Sequence, residues 1–288
     1  MKTRLQRYGI LLLKIALSIG CLWYAFTKPD WVKITGSWRQ IDLFWISLAL
    51  GAYTLSKILA SSRLNINFRL IGIQIPEHSN RKLYWLGMLY NLLLPGAITG
   101  DAYKVVVLGK SPGVSRKSLA MAVLLDRFSG LLSLLIILAL LALYVLYPHY
   151  LAILFTIGTI AFVPISYYLI RWFLPQQSPG FKSTFVWGAG VQLLVLGTVY
   201  CVIRSIHLND ATVAYLLVFL LAAAASVLPI SIGGGLGIRE FASIQGAHLL
   251  DLSLESALLI SLLFYGITVA TALPGFAYIF KDPLKESN

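Results

Sequence analysis

Long apolar stretches alternate with short polar segments along this chain. Six stretches are long enough to cross a bilayer, and they lie near residues 8–27, 41–61, 118–147, 151–173, 184–206 and 254–280. A spanning helix needs ~20 mostly apolar residues, and the stretch LLSLLIILALLALYVL at 131–146 carries no charge at all. The pattern predicts an all-α polytopic membrane protein with about six full transmembrane helices.

Two further apolar stretches, 83–108 and 211–250, are broken in the middle by proline and glycine. The breaks read NLLLPGAITGDAYK (91–104) and SVLPISIGGGLGIRE (226–240), and each has Leu-Pro, then a glycine five residues after the proline, then charge. Proline removes a backbone donor and glycine permits unusual turns. Because unpaired backbone groups cannot face lipid, we expect re-entrant segments beside a wet cavity. Short crossing helices, close helix packing or a surface loop are the alternatives.

The two breaks predict an internal repeat. Pro95 and Pro229 lie 134 positions apart, close to half of the 288 residues. The chain is therefore expected to form one membrane domain, residues 1–288, built from inverted halves at about 8–148 and 150–280. Matched broken segments in inverted halves mark the binding site of many transporters.

Composition supports a membrane protein and sets its orientation. Charged residues make up 12% of the chain, about half the share in soluble domains. The net charge of +12 fits basic cytoplasmic loops better than nucleic-acid binding. With both termini cytoplasmic, fifteen basic residues fall on the inner side, Arg63 among them, and five on the outer side. Lys57 is interpreted as a lysine that reaches the nearby cytoplasmic surface.

Charged residues inside apolar segments are candidates for a site, because they normally face a partner or water. Asp126 and Arg127 lie about eight residues into the third full span. Arg127 could meet a lipid phosphate while Asp126 or Asp101 meets another cation; a structural ion pair is the alternative. Glu240 could pair with Arg239 or with Arg127, and the sequence leaves this open.

No pattern typical of metal binding, nucleotide hydrolysis or catalysis is found. The two cysteines and four histidines are scattered, and no G-x-x-x-x-G-K-[ST] motif occurs. No cofactor, metal or catalytic residue is expected, so the protein is not predicted to be an enzyme.

Three motifs, NLLLPGAITGDAYK, LLDRFSG and LPISIGGGLGIREFA, resemble in order and spacing the lysylphosphatidylglycerol synthase transmembrane-region family. The resemblance covers roughly residues 8–280. It implies an integral membrane protein that binds and translocates lipids, with a bacterial inner membrane as its location. Known cases move aminoacylated phosphatidylglycerol, and relatives are linked to hopanoid transport and polyprenyl-linked sugar pathways. Because 288 residues leave no room for a fused synthase domain, any aminoacylation is expected from another protein.

Carried over by position, the family motifs give most of the candidate site. Lys104 stands where an arginine is expected, and Thr99 where a glycine is common, which matters because lysine lacks the bidentate fork of arginine. The candidate substrate-binding residues are Pro95, Gly100, Asp101, Lys104, Asp126, Arg127, Pro229, Gly233, Gly234, Gly237, Arg239 and Glu240.

The leading hypothesis is a lipid flippase or transporter. Its substrate would be an anionic or modified phospholipid, or a polyprenyl or other isoprenoid lipid, moved between bilayer leaflets. The alternatives are a membrane enzyme acting on a lipid-linked substrate and a lipid-binding auxiliary subunit of a membrane complex. The expected partners are membrane lipids with anionic headgroups, with a second copy of the chain or a separate lipid-modifying enzyme as further possibilities.

Overall fold

The computed structural model of the chain describes residues 4–94, 99–109, 115–227 and 233–280, with side chains from residue 16 onward. Pro95 and Pro229 lie outside these ranges. The described residues are dominated by α-helices: α1 Arg4–Thr27, α2 Trp31–Trp38, α3 Leu43–Leu70, α4 Glu77–Leu93, α5 Thr99–Leu108, α6 Arg116–Leu146, α7 Tyr150–Phe173, α8 Phe181–Ser205, α9 Thr212–Ser226, α10 Ile238–Leu249 and α11 Leu254–Ala272, with 3₁₀ helices at Ser178–Gly180 and Leu273–Tyr278.

Within the described ranges, five helices are long and apolar enough to cross a membrane, which confirms the all-α membrane fold. They are α3, α6, α7, α8 with the 3₁₀ turn before it, and α11 with the 3₁₀ helix after it. Each lies on one of the predicted full spans. The sixth predicted span, 8–27, falls on α1, whose described side chains form a shorter apolar helix, Ala16–Thr27.

Helix α3 is longer than its apolar pattern predicts. The expected span ended at residue 61, whereas the helix continues to Leu70. The added turns contain Arg63, Asn65 and Asn67, and each is at most 6% exposed. Polar residues are rarely buried without partners, so a sequence pattern assigns them to a loop; here Asp126 of α6 pairs with Arg63, and Glu77 of α4 accepts from Asn65.

Several helices begin at a residue whose side chain accepts a hydrogen bond from the first turn. Asp30 and Asp42 accept from Val32 N and Phe44 N, each at 2.9 Å. Such caps satisfy backbone donors that have no partner within the helix. The first of them starts α2, a short helix that the apolar pattern did not predict.

The centre of the molecule is the contact between α3 and α8, and α6 packs against both. One large core lies where α8, α9 and α11 meet and includes Val199, Phe219 and Phe264. α1 packs on α10. Many large apolar side chains of α7 remain exposed, as in Ile157 and Ile165, which suits a helix that faces lipid. Helices α4, α5, α9 and α10 each pack against at least one of the long helices.

Candidate functional site

The first break places a shared carboxylate at the start of a short helix. Asp101 lies in the first turn of α5. Its Oδ1 accepts a hydrogen bond from Lys104 Nζ at 3.0 Å, and its Oδ2 accepts one from Arg127 Nε of α6. We call Asp101, Lys104 and Arg127 the first charged cluster. It has two cations for one anion, and therefore a net positive charge.

The members of the first charged cluster differ in exposure. The side chains of Asp101 and Lys104 are 9% and 6% exposed, whereas that of Arg127 is 33% exposed. Lys104 Nζ also lies 4.3 Å from the centre of the Tyr84 ring, a cation–π contact that holds the ammonium in place. Arg127 is therefore the cation through which a ligand from outside would reach the cluster.

Close packing fixes where this cluster lies. A Cβ on Gly100 would lie 1.9 Å from Gly87 O, so α5 crosses α4 at a distance that only glycine permits. Gly100 N donates to Asn91 Oδ1 at 2.8 Å, which satisfies one of the backbone donors at the start of α5.

The second break places a fully buried ion pair at the start of α10. Arg239 Nη2 lies 2.9 Å from Glu240 Oε1, with side-chain exposures of 4% and 0%. Ser261 Oγ of α11 joins both, since it accepts from Arg239 Nε at 3.0 Å and donates to Glu240 Oε1 at 2.9 Å. Glu240 Oε2 accepts from Gly237 N at 2.7 Å. We call Gly237, Arg239, Glu240 and Ser261 the second charged cluster.

The turn before α10 depends on glycine at four of its five positions, 233–237. Gly233, Gly234, Gly235 and Gly237 have φ angles of 58°, 76°, 107° and 91°, a region that residues with a Cβ rarely adopt. A Cβ on Gly237 would also lie 2.6 Å from Ser18 O of α1. This turn is shaped both by its backbone conformation and by the close approach of α1.

One glycine brings the two broken segments close to each other. A Cβ on Gly233 would lie 3.8 Å from Leu92 O, near the end of α4, and 3.7 Å from Tyr265 Oη. Leu92 lies within the first break and Tyr265 belongs to α11, so the two breaks approach each other beside α11.

Asp126 belongs to neither cluster. It forms a bidentate pair with Arg63 of α3, Nε to Oδ1 at 2.8 Å and Nη2 to Oδ2 at 3.0 Å, and both side chains are buried. Gly130 and Gly188 make room for this guanidinium, since a Cβ on them would lie 2.8 Å and 3.3 Å from Arg63 Nη1. The interpretation of Arg63 as a cytoplasmic topology charge was therefore wrong. Asp126 instead takes part in a structural ion pair at the centre of the fold.

Lys57 also differs from its interpretation as a residue near the cytoplasmic surface. Because α3 runs to Leu70, Lys57 lies about 20 Å from each helix end. Its Nζ is 4.2 Å from the Tyr53 ring centre, and no carboxylate of the described residues lies within 4 Å. Tyr53 contacts α11, and Ser61 accepts from Asn80 of α4. Residues 53, 57 and 61 share one helix face, so Lys57 faces the seam between α4 and α11.

Comparison with known families decides the identity of the chain. The sequence model described as the lysylphosphatidylglycerol synthase transmembrane region matches residues 11–183 and 179–275. The chain belongs to this family. None of the curated proteins compared with it matches. Membership in the lysylphosphatidylglycerol synthase transmembrane-region family confirms the resemblance seen in the three motifs, and it fits a lipid-related role in a membrane.

The geometry groups the predicted site residues of this family member into two sets. Gly100, Asp101, Lys104 and Arg127 come together at the first break, and Gly233, Gly234, Gly237, Arg239 and Glu240 at the second. Sequence reasoning missed Ser261, Tyr84 and Arg63 as partners. The position of Arg63 beside other polar residues of α3 was a sequence signal for its role as a partner. Ser261, a serine in an apolar helix, gave no such signal.

Proposed function

We propose that this protein moves a lipid with an anionic headgroup between the two leaflets of a bacterial inner membrane. The observation that carries the proposal is the pair of charged clusters at the starts of α5 and α10 of an apolar protein, together with the approach of the two breaks at Gly233 and Leu92. Charges within a membrane protein are expensive and usually line a pathway or a site. Membership in a lipid-related family agrees with this proposal.

Helix lengths support re-entrant segments. α5 has 10 residues and α10 has 12, so they extend about 15 Å and about 18 Å. The hydrocarbon core of a bilayer is about 30 Å thick. Neither helix is long enough to cross it alone, and half-helices that start inside the membrane present their N-terminal N–H groups to a ligand.

Helix contacts support two inverted halves. Exchanging α3 with α8, α4 with α9, α5 with α10 and α6 with α11 turns the contacts of one half into contacts of the other. The pairs α3–α4, α3–α6, α4–α5 and α5–α6 correspond to α8–α9, α8–α11, α9–α10 and α10–α11, and all eight are present. The contact α6–α9 between the halves has its counterpart in α4–α11. Such halves, rocking about a shared site, are the usual basis of alternating access.

The first charged cluster is the proposed phosphate site. Its net positive charge and the positive end of the α5 dipole both attract an anion. Arg127 is its most exposed member, and arginine binds phosphate through a planar fork. Lys57 adds a cation in the seam beside α4 and α11, and the acyl chains stay in the bilayer. Both termini lie on the cytoplasmic side in this proposal.

We propose no catalytic role for the acidic residues. Asp101, Asp126 and Glu240 each accept hydrogen bonds from a cation, an arrangement that holds a carboxylate rather than leaving it to take a proton from a substrate. No group of three or more potential metal ligands occurs within the described ranges.

Proteoliposomes with headgroup-labelled phosphatidylglycerol provide the test. A membrane-impermeant quencher added outside reports the labelled lipid that reaches the outer leaflet. We expect the wild-type protein to accelerate this movement, and Arg127→Gln to slow it about tenfold or more, since a hydrogen bond to a charged group contributes roughly 1.5–3 kcal/mol.

Arg171→Gln is the matched control, because Arg171 is an exposed arginine at the end of α7. Its transport rate should equal that of the wild type. If the wild type moves neither phosphatidylglycerol nor aminoacylated or polyprenyl lipids while remaining folded, the transport proposal fails, and the enzyme and subunit alternatives take its place.

A further inference from the structure

A cavity of about 300 Å³ lies where the start of α4 meets α3 and the 3₁₀ helix Leu273–Tyr278. We call it the α4 basic pocket. Its lining residues are Ile58, His78, Arg81, Lys82, Trp85, Pro274 and Tyr278. His78 and Leu92 lie at opposite ends of α4, about 21 Å apart along its axis, so His78 marks the end of the pocket that is remote from the first break.

The basic residues of the pocket and one tryptophan share a single face of α4. His78, Arg81, Lys82 and Trp85 follow one another at intervals of three, one and three residues, which places them together on an α-helix. Among the described residues, no acidic side chain lines the cavity, and none of the three basic residues is within 4 Å of a carboxylate.

The nearest acid on α4 is held away from the pocket. Glu77 Oε1 accepts hydrogen bonds from Arg69 Nη2 and Asn65 Nδ2, each at 2.8 Å, and both donors belong to α3. Because Glu77 is engaged with α3, it does not balance the positive charge of Arg81 and Lys82.

The rest of the lining is apolar or aromatic. Ile58 and Pro274 bring carbon surface to the cavity, and Trp85 and Tyr278 are the side chains that favour the membrane interface. A Cβ on Gly275 would lie 2.7 Å from Trp85 O, so the 3₁₀ helix is packed tightly on α4. Phe276 and Phe280 beside it are 48% and 96% exposed. A soluble phosphate makes no favourable contact with this apolar surface, whereas a lipid packs its acyl chains against it.

We propose that the α4 basic pocket binds the phosphate headgroup of an anionic phospholipid of the inner leaflet, as a site separate from the one through which lipid is transferred. Basic pockets between helices on the cytoplasmic side recognise anionic headgroups in this way. Arg81 and Lys82 contact the phosphate, and the acyl chains lie along the 3₁₀ helix. This proposal does not rest on transport, because binding is measured without it.

Native mass spectrometry of the full-length protein tests the proposal. Delipidated protein in detergent is titrated with dioleoyl-phosphatidylglycerol, with dioleoyl-phosphatidylcholine and with glycerol phosphate. We expect retention of phosphatidylglycerol over phosphatidylcholine. Arg81→Gln with Lys82→Gln should weaken the retained binding roughly 25-fold, at about fivefold for each basic residue near an anionic surface.

The matched control is Arg171→Gln with Lys182→Gln, which removes two exposed basic residues that the charge distribution assigns to the same membrane side. It should bind as the wild type does, and both double variants should keep the wild-type thermal unfolding temperature. Equal loss in the control, or equal binding of the two phospholipids, overturns the pocket. Competition by glycerol phosphate as effective as that by the lipid overturns the lipid assignment.

Discussion

The two broken segments use similar residues and arrange their charges differently. At the first, Asp101 is shared by Lys104 and by Arg127, whose side chain is 33% exposed. At the second, Arg239 and Glu240 pair with each other, with exposures of 4% and 0%. Glu240 also caps the start of α10 through Gly237 N. The charged cluster at the first break therefore has a net positive charge, whereas the charges of Arg239 and Glu240 at the second break are balanced.

This difference separates two roles. A buried pair whose donors and acceptors are matched fixes geometry, and replacing one partner leaves a charge without compensation. A cluster with a surplus cation near the surface can exchange part of its hydrogen bonding for a ligand. The second break therefore sets the shape of a half-helix, whereas the first is the place where we propose that an anion binds.

The largest expected effect is that of Glu240→Gln. This change keeps the side-chain size but leaves the buried Arg239 guanidinium without its counter-charge, so the protein should lose about 3–5 kcal/mol of stability. Thermal unfolding in detergent, followed by tryptophan fluorescence, measures the loss. A variant as stable as the wild type would mean that the second charged cluster is not a structural pair.

Three glycine variants compare how tightly the backbone is packed at the two breaks. Gly234→Ala introduces a Cβ where φ is 76° and no described atom lies within 4 Å, so only backbone strain of about 1–2 kcal/mol is expected. Gly237→Ala adds overpacking against Ser18 O, about 1–3 kcal/mol more. Gly100→Ala brings overpacking alone, against Gly87 O. The same unfolding assay ranks them, and equal losses for Gly234 and Gly237 would contradict the packing of α1 on α10.

The smallest change in stability is expected for Arg127→Gln. Its side chain is one-third exposed, and partly solvated ion pairs contribute about 1 kcal/mol or less. The variant should unfold within a few degrees of the wild type even though its lipid transport is reduced. A loss as large as that of Glu240→Gln would make the two breaks equivalent and remove the distinction drawn between them.

The membrane fold was predictable because each spanning helix appears in the sequence as one uninterrupted apolar stretch. A span needs only length and low polarity, so five of the six predicted full spans lie on the long helices of the structure. The exception was the end of α3, where burial of Arg63 and Asn65 depends on partners from other helices. A pattern read along one helix contains no information about such partners.

The sequence singles out residues of the candidate site, which remain a prediction as a binding site, but it does not predict their contacts. Charges inside apolar segments identified Asp101, Arg127, Arg239 and Glu240. Which charges pair depends on helix packing and on side-chain rotamers, so the Arg239–Glu240 pair was left open. The partner of Asp126 lies 63 residues away, and only the assembled fold brings the two together.

That separation has a consequence for how the chain enters the membrane. During synthesis at about 5–20 residues per second, Asp126 follows Arg63 by roughly 3–13 s. Until then α3 carries an uncompensated guanidinium, which opposes insertion by about 2.5–3.5 kcal/mol on translocon scales. We expect α3 to remain beside the insertion machinery until α6 arrives, so that the two helices are released into the lipid as a neutral pair.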